Sequence, residues 1–279
     1  METARIAFAA ALLAVAASLP AAAETIGKCE LHGRKGEFPF TPAQPGRLTV
    51  EVNLPAPVWW DGDTPQTVDD GYEYCMAADI AWRAGLDKVA VVNVAWDALV
   101  AGQTKGFDLA LNEISVTDER KKVVDFSIPY FHSDAGILVR KGTAVDSESI
   151  KGLRFGVQQA STGADFVQTK LKPAGPIKVF PDEATMFTAL VAGQVDVVIT
   201  DTAIVLGEAS QSHGTLEVPG QYSTGETYAA IYPKGSPNEA VLDRIIQSLI
   251  DDGVLKDLSA RYLGKSWGAD PATIPYFKY

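Results

Sequence analysis

The sequence predicts an α/β protein of two similar lobes around a cleft, and three observations support that prediction. The first is a repeat: ALVAGQ occurs at Ala98–Gln103 and again at Ala189–Gln194. Each copy reads as an apolar-faced helix stopped at Gly102 or Gly193, where a left-handed backbone costs glycine nothing. The second is the segment after each copy. Phe107–Leu111 and Val195–Ile199 are short apolar runs that suit strands covered on both faces of a parallel sheet. An acid comes after each run, Glu113 behind Asn112 and Asp201 behind Thr200. Ligands of open α/β sheets bind beyond the carboxyl ends of strands, so each lobe is expected to offer one acid to a shared cleft. The third is length, since about 250 residues after a leader exceed the usual single-core domain. Chance is the alternative for a two-copy repeat built of common residues.

Arg5, the apolar run Ile6–Ala17 and the small residues Ala21–Ala23 read as an export signal over 1–23, cleaved before Glu24. That run is shorter than the roughly 20 residues that span a bilayer, and no later segment approaches that length. The net charge of −11 is unchanged by losing the leader, because Glu2 and Arg5 cancel. Nucleic acid is not an expected partner: phosphate binding needs clustered Lys and Arg, and Arg120-Lys121-Lys122 is too short a stretch. His32, His132 and His213 are scattered. With no metal cluster, phosphate loop or nucleophile–base pair in the pattern, neither cofactor, metal nor catalytic group is expected.

Element by element, Glu24–Pro45 has no helical or strand period and reads as an extension over the surface. Leu48–Val52 alternates as a first strand, and the prolines of Pro55–Thr67 make the next segment a loop. Tyr72–Ala84 is helical and stops at Gly85, Val89–Val94 is a strand, and Trp96–Ala101 carries the first repeat. Cys29 and Cys75, a lone pair in an oxidising compartment, are expected to bridge; two free thiols are the alternative. Thr117–Arg120 opens a short helix with acids in its first turn. Gly136–Arg140 is extended and crosses to the second lobe. That lobe holds strand Arg154–Val157, helix Gly163–Leu171 and strand Ile177–Phe180, with Asp182 capping the helix of the second repeat. Tyr228–Tyr232 returns to the first lobe. Ser236-Pro237-Asn238-Glu239 is a helix start, and Val241, Ile245, Ile246, Leu249 and Ile250 give that helix an apolar face. The expected organisation is extension 24–46, first lobe 47–138, second lobe 139–227 and a return segment 228–279, with two crossings forming a hinge.

Candidate site residues sit where strands meet helices. Ser115, the backbone N–H groups after it and Arg120 together can receive a carboxylate, and Arg offers the planar fork that Lys lacks. A solvated helix face is the plain alternative. Gln158, Ser161 and Thr162 hold the equivalent place in lobe two; an ordinary helix cap is compatible with the same role. Glu113 and Asp201 suit an ammonium, although Asp201 could instead cap Thr202–Gln211. Trp59 and Trp60 could cover an apolar or cationic group, or one of them could be core.

The strings Ser115-Val-Thr-Asp-Glu-Arg120 and Val123-Val-Asp-Phe-Ser-Ile-Pro-Tyr130 resemble the signature of family 3 solute-binding proteins. Gly152-Leu-Arg-Phe-Gly-Val157 and Ala192-Gly-Gln-Val-Asp196 extend the likeness, which runs from about Gly46 to Gly264. These are periplasmic amino-acid receptors of ABC importers. The resemblance implies a type II, Venus-flytrap fold with paired hinge strands, a monomer in the periplasm, and an inner-membrane permease as partner. It implies that Arg120 binds a ligand α-carboxylate, helped by Ser115 and the backbone near Thr162. It implies that Asp201 binds the α-ammonium, with Glu113 and Ser115, while Asn53 and the aromatic loop meet the ligand side chain. Glu113 in place of a small residue, Ala160 in place of glycine, the longer Trp59–Trp60 loop and the Cys29 extension depart from the pattern. One arginine against two acids points to a basic ligand. Periplasmic cyclohexadienyl dehydratases resemble the same family, and there Glu113 would protonate a leaving hydroxyl. A receptor that hands its closed form to a chemoreceptor or kinase would share the site.

Overall fold

The structure is a computed structural model and describes residues 24–268 and 270–279; the expected leader lies outside the described residues. The extension is not featureless. β1 (Thr25–Ile26) and β2 (Cys29–Glu30) pair antiparallel around Gly27, whose φ is 62°. Two residues per strand are too few for an alternation to be read from sequence. A Cys29–Cys75 disulfide, with Cα atoms 5.3 Å apart, pins this hairpin to the first helix.

The first lobe continues with β3 (Leu48–Val52), α1 (Tyr72–Arg83), β4 (Val89–Asn93), α2 (Trp96–Val100), β5 (Leu109–Ala110) and β6 (Asp125–Phe126). The second is built from β7 (Phe131–Arg140), β8 (Phe155–Gln158), α3 (Thr162–Asp165), β9 (Ile177–Phe180), α4 (Glu183–Val191), β10 (Val197–Asp201), α5 (Thr202–Gln211) and β11 (Leu216–Tyr228). β12 (Ile231–Tyr232), α6 (Glu239–Asp251), α7 (Val254–Leu258) and α8 (Gly264–Ser266) complete the strands and α-helices of the described residues. The described residues form two five-stranded sheets, ordered β4-β3-β5-β12-β6 and β11-β7-β10-β8-β9. In each, one inner strand is flanked by two parallel partners: β3 by β4 and β5, β8 by β9 and β10.

The repeat maps onto this symmetry. Its two copies lie in α2 and α4, end at Gly102 (φ 65°) and Gly193 (φ 70°), and lead into β5 and β10. Separate cores lie under the two sheets, one including Val50, Met76 and Ile80, the other Val157, Val167 and Ile199. Leu242, Ile245, Ile246 and Leu249 of α6 are buried in the first, each side chain contributing about 1.5–3 kcal/mol.

Four sequence expectations need correction. α6 begins at Glu239 rather than Pro237, because Ser236 Oγ binds the Asn238 N–H and Asn238 Nδ2 donates to the Thr41 carbonyl instead of capping. The long strand β11 was hidden by Pro219, Gly220 and Gly225, which fall in or beside two register shifts. β7 already pairs with β10 at Ala135, so the first crossing lies nearer Phe131 than residue 138. There Phe131 pairs with Tyr228 and His132 with Thr227, which sets the two crossings side by side. Finally, the end of the chain does not stay on the first lobe: Tyr276 bridges to Gln221 of β11.

Candidate functional site

The carboxyl ends of the central strands of both sheets meet at one cleft. Its wall includes Asn53 after β3, Asn112, Glu113 and Ser115 after β5, Gln158 ending β8, Ser161 and Thr162 at α3, Asp201 ending β10, and Arg120. Arg120 is 7% exposed and lies across the ring of Trp96, 5.2 Å from its centroid. Its Nη1 donates to the Ser115 carbonyl at 2.7 Å, and its Nη2 reaches the Ala160 carbonyl of the other lobe at 2.9 Å. Ala160 holds a left-handed conformation (φ 56°) that glycine would adopt freely. Ser115 Oγ donates across the lobes to Glu226 Oε2 at 2.6 Å. Ser161 accepts from the Ala164 N–H, so it is the helix cap of α3. Asp201 stands at the cap position of α5 but makes no capping bond, which leaves its carboxylate to the cleft.

The two tryptophans part company. Trp60 is fully buried, donates from Nε1 to Glu73 Oε2 at 2.8 Å and meets Tyr74 edge-on. It belongs to the core and not to the cleft wall, because its one polar atom is satisfied inside the lobe. Trp59 packs edge-on against Tyr72, Phe131 and Tyr228 and borders a side chamber of the cleft with Glu113, Glu183, Phe187 and Glu208. Trp96, Glu183, Thr200 and Ile204 also line the cleft and were not singled out from sequence. Glu183 was hidden in plain view, one residue after the predicted cap Asp182. Glu73 was missed as well. It is fully buried and accepts hydrogen bonds from Trp60 Nε1, the Glu113 N–H and the Tyr130 hydroxyl.

Residues 56–265 match the family described as bacterial extracellular solute-binding proteins, family 3. The chain belongs to this family. Among curated relatives, the L-cystine-binding protein TcyJ of Escherichia coli (strain K12) is 27% identical over 200 residues, 70% of this chain and 74% of that protein. An ancestral arginine-binding protein solved with arginine superposes with a TM-score of 0.71 at 29% identity, covering 78% of this chain and 99% of the other. The ancestral amino acid-binding protein AncCDT-1, a precursor of cyclohexadienyl dehydratase, gives a TM-score of 0.68 at 25% identity, covering 78% and 95%. The fold is the two-lobed type II arrangement of these solute-binding proteins. No helix among the described residues is long and apolar enough to cross a membrane.

Carboxyl groups outnumber cations in the wall of the cleft. Burial, then Glu73, Glu183 and Asp201, push the Glu113 carboxyl well above the usual carboxylate range. Burial, then Glu226, does the same to Asp201. Burial raises both Glu73 and Glu183 to about 7. Against them stands Arg120, lowered to about 10 by burial and therefore still cationic at neutral pH. Glu113 Oε1 and Trp59 Nε1, both beside the chamber, are buried without a hydrogen-bond partner among the described residues. Glu113 also takes a left-handed backbone (φ 48°), which directs the chain end of β5 into this wall at some local strain.

Proposed function

We propose that this protein captures an amino acid with a cationic side chain in its interlobe cleft, in the periplasm, and delivers it to the permease of an ABC importer. The observation that carries the reading is the excess of acids over cations in one buried wall. Glu113, Glu183 and Asp201 line the cleft against the single cation Arg120. Desolvating a zwitterion demands a partner for each charged end. Arg120 fits the α-carboxylate, with Ser115 and Thr162 beside it, and Asp201 fits the α-ammonium. That leaves Glu113 and Glu183 unmatched, and beyond them Glu208 in the chamber bordered by Trp59 and Phe187. A side chain with an aliphatic stem and a cationic tip answers both the apolar walls and the surplus charge. Relatives named for binding cystine and arginine support an amino-acid ligand.

Isothermal titration with arginine, lysine, histidine, glutamine, glutamate and cystine tests this directly. Tight binding of a basic amino acid, with neutral and acidic ones far weaker, is the expected result. Preference for a neutral or acidic amino acid would sink the cationic assignment while leaving the receptor role intact.

The dehydratase reading has one observation in its favour: burial and the neighbouring carboxyls raise the Glu113 carboxyl, the direction a general acid needs. Incubation with prephenate or arogenate, with product absorbance as the readout, separates it from the first. Turnover abolished by Glu113→Gln would establish it.

A further inference from the structure

The last residues of the chain leave the lobe that builds them. Leu255, Leu258, Tyr262 and Leu263 are buried in the first-lobe core. Around Tyr276 the backbone instead bridges to Gln221 of β11, the edge strand of the second sheet. The Gln221 N–H donates to the Pro275 carbonyl at 2.9 Å, and the Phe277 N–H donates to the Gln221 carbonyl at 2.8 Å. The Gln221 side chain, 2% exposed, donates to the carbonyls of Pro271 and Ile274. It also accepts from Thr202 Oγ1 at 2.9 Å, the residue next to Asp201 in the cleft wall.

Side chains fasten the same segment. The Phe277 ring covers Gly220 so closely that a Cβ there would lie 2.4 Å from it. Tyr279 sits edge-on to Phe166, with centroids 5.0 Å apart. The Tyr276 hydroxyl donates to Asp134 Oδ2 at 2.7 Å, while Asp134 Oδ1 accepts from the N–H groups of Thr224 and Gly225. Those two residues form the register shift in the hinge strand just before Glu226, the acceptor of the interlobe bond from Ser115. The segment therefore braces the hinge strand at the point where it touches the other lobe. It also lies outside residues 56–265, the part that matches the family.

We propose that residues 270–279 are a strap, a third connection between the lobes that biases them towards closure and so raises ligand affinity. Opening rotates the lobes about the two paired crossings. A segment rooted in one lobe and bonded along the other must then stretch or peel away. A ligand that binds only the closed arrangement is held more tightly the larger the closed fraction, so loss of the strap raises the apparent Kd in proportion. The competing account is that the strap merely covers an exposed sheet edge. That account predicts a lower melting temperature with no change in opening.

The test compares the full chain with one ending at Gly268, by small-angle scattering with and without arginine and by titration with arginine. The expected result is a larger radius of gyration for the shortened chain without arginine, equal values with arginine, and a Kd raised by about threefold to tenfold. If the shortened chain does not fold, Phe277→Ala and Tyr276→Phe carry the same comparison. Unchanged ligand-free dimensions would overturn the proposal, even with a lower melting temperature. The scattering comparison without arginine does not depend on the ligand class, so failure of arginine to bind would count against the proposed function and not against the strap.

Discussion

At the residue scale, one guanidinium, Arg120, faces three carboxyl groups, Glu113, Glu183 and Asp201, in the cleft wall. Arg120→Ala should cost about 2–5 kcal/mol of binding free energy, read by titration calorimetry, because the ligand carboxylate would be buried without a partner. Arg120→Lys should recover only part of it, since an ammonium cannot reproduce the fork. Normal binding by both variants would refute the carboxylate assignment. Glu73 makes a different prediction. Trp60 Nε1 and the Glu113 N–H can only donate, and they approach opposite oxygens of its carboxyl. In Glu73→Gln either amide orientation turns an NH2 towards one of them, which should cost about 1–3 kcal/mol of stability in a denaturant titration. A neutral effect would mean that the pocket rearranges freely.

The same groups set the response to pH. The Glu73 and Glu183 carboxyls are raised from an ordinary 4.5 to about 7, so the folded protein holds protons that the unfolded chain has lost between those values. Their contribution to stability therefore falls as pH rises through that window and is flat above it. A cationic ligand favours the ionised acids, so its binding should release protons and weaken as pH falls from about 8 to 5. Melting scans check both signs: the gain in Tm from arginine should be larger at pH 8 than at pH 5. A gain that is equal at both, or larger at pH 5, would argue against a cation among the acids.

At the scale of elements, short structures hold the site in place. The Cys29–Cys75 bond closes a loop with a sequence separation of 46 and joins the β1–β2 hairpin to α1. Chain-entropy arguments put its contribution at about 2–4 kcal/mol, so reduction should lower the unfolding midpoint by a matching amount while leaving the cleft residues in place. The turn from β8 into α3 carries Ala160 at a positive φ. Ala160→Gly should relieve that conformation and, because the bond to Arg120 is made by the backbone carbonyl, preserve affinity to within a few fold. A large loss would mean that the alanine methyl group itself shapes the site.

At the scale of the molecule, the two sheets present their strand ends to each other, and the cavity beside Arg120 holds about 20 Å³, with about 40 Å³ more in the side chamber. That is room for a few waters, not for an amino acid. The lobes must part for a ligand to enter, which makes the hinge and the strap part of the binding equilibrium. The paired crossings at Phe131–Tyr228 supply the axis, and Arg120 with Ala160 supplies one latch across the cleft.

Residue order alone determined the alternation of helices and short apolar strands, the stops at Gly102 and Gly193, the strand-end acids Glu113 and Asp201, and the turn carrying Ser115 and Arg120. All of these are written within a few neighbouring residues, where periodicity and capping chemistry act. Packing alone decided that Trp60 is core, that Asp201 is free of its helix, that Glu183 lines the cleft, and that Glu73 lies buried inside the lobe, bonded to the Glu113 N–H. It likewise sent the chain end to the far lobe. Such outcomes depend on contacts between distant positions, 40 residues apart for Glu73 and Glu113 and 53 for Gln221 and Ile274, and no local pattern encodes which of them will form.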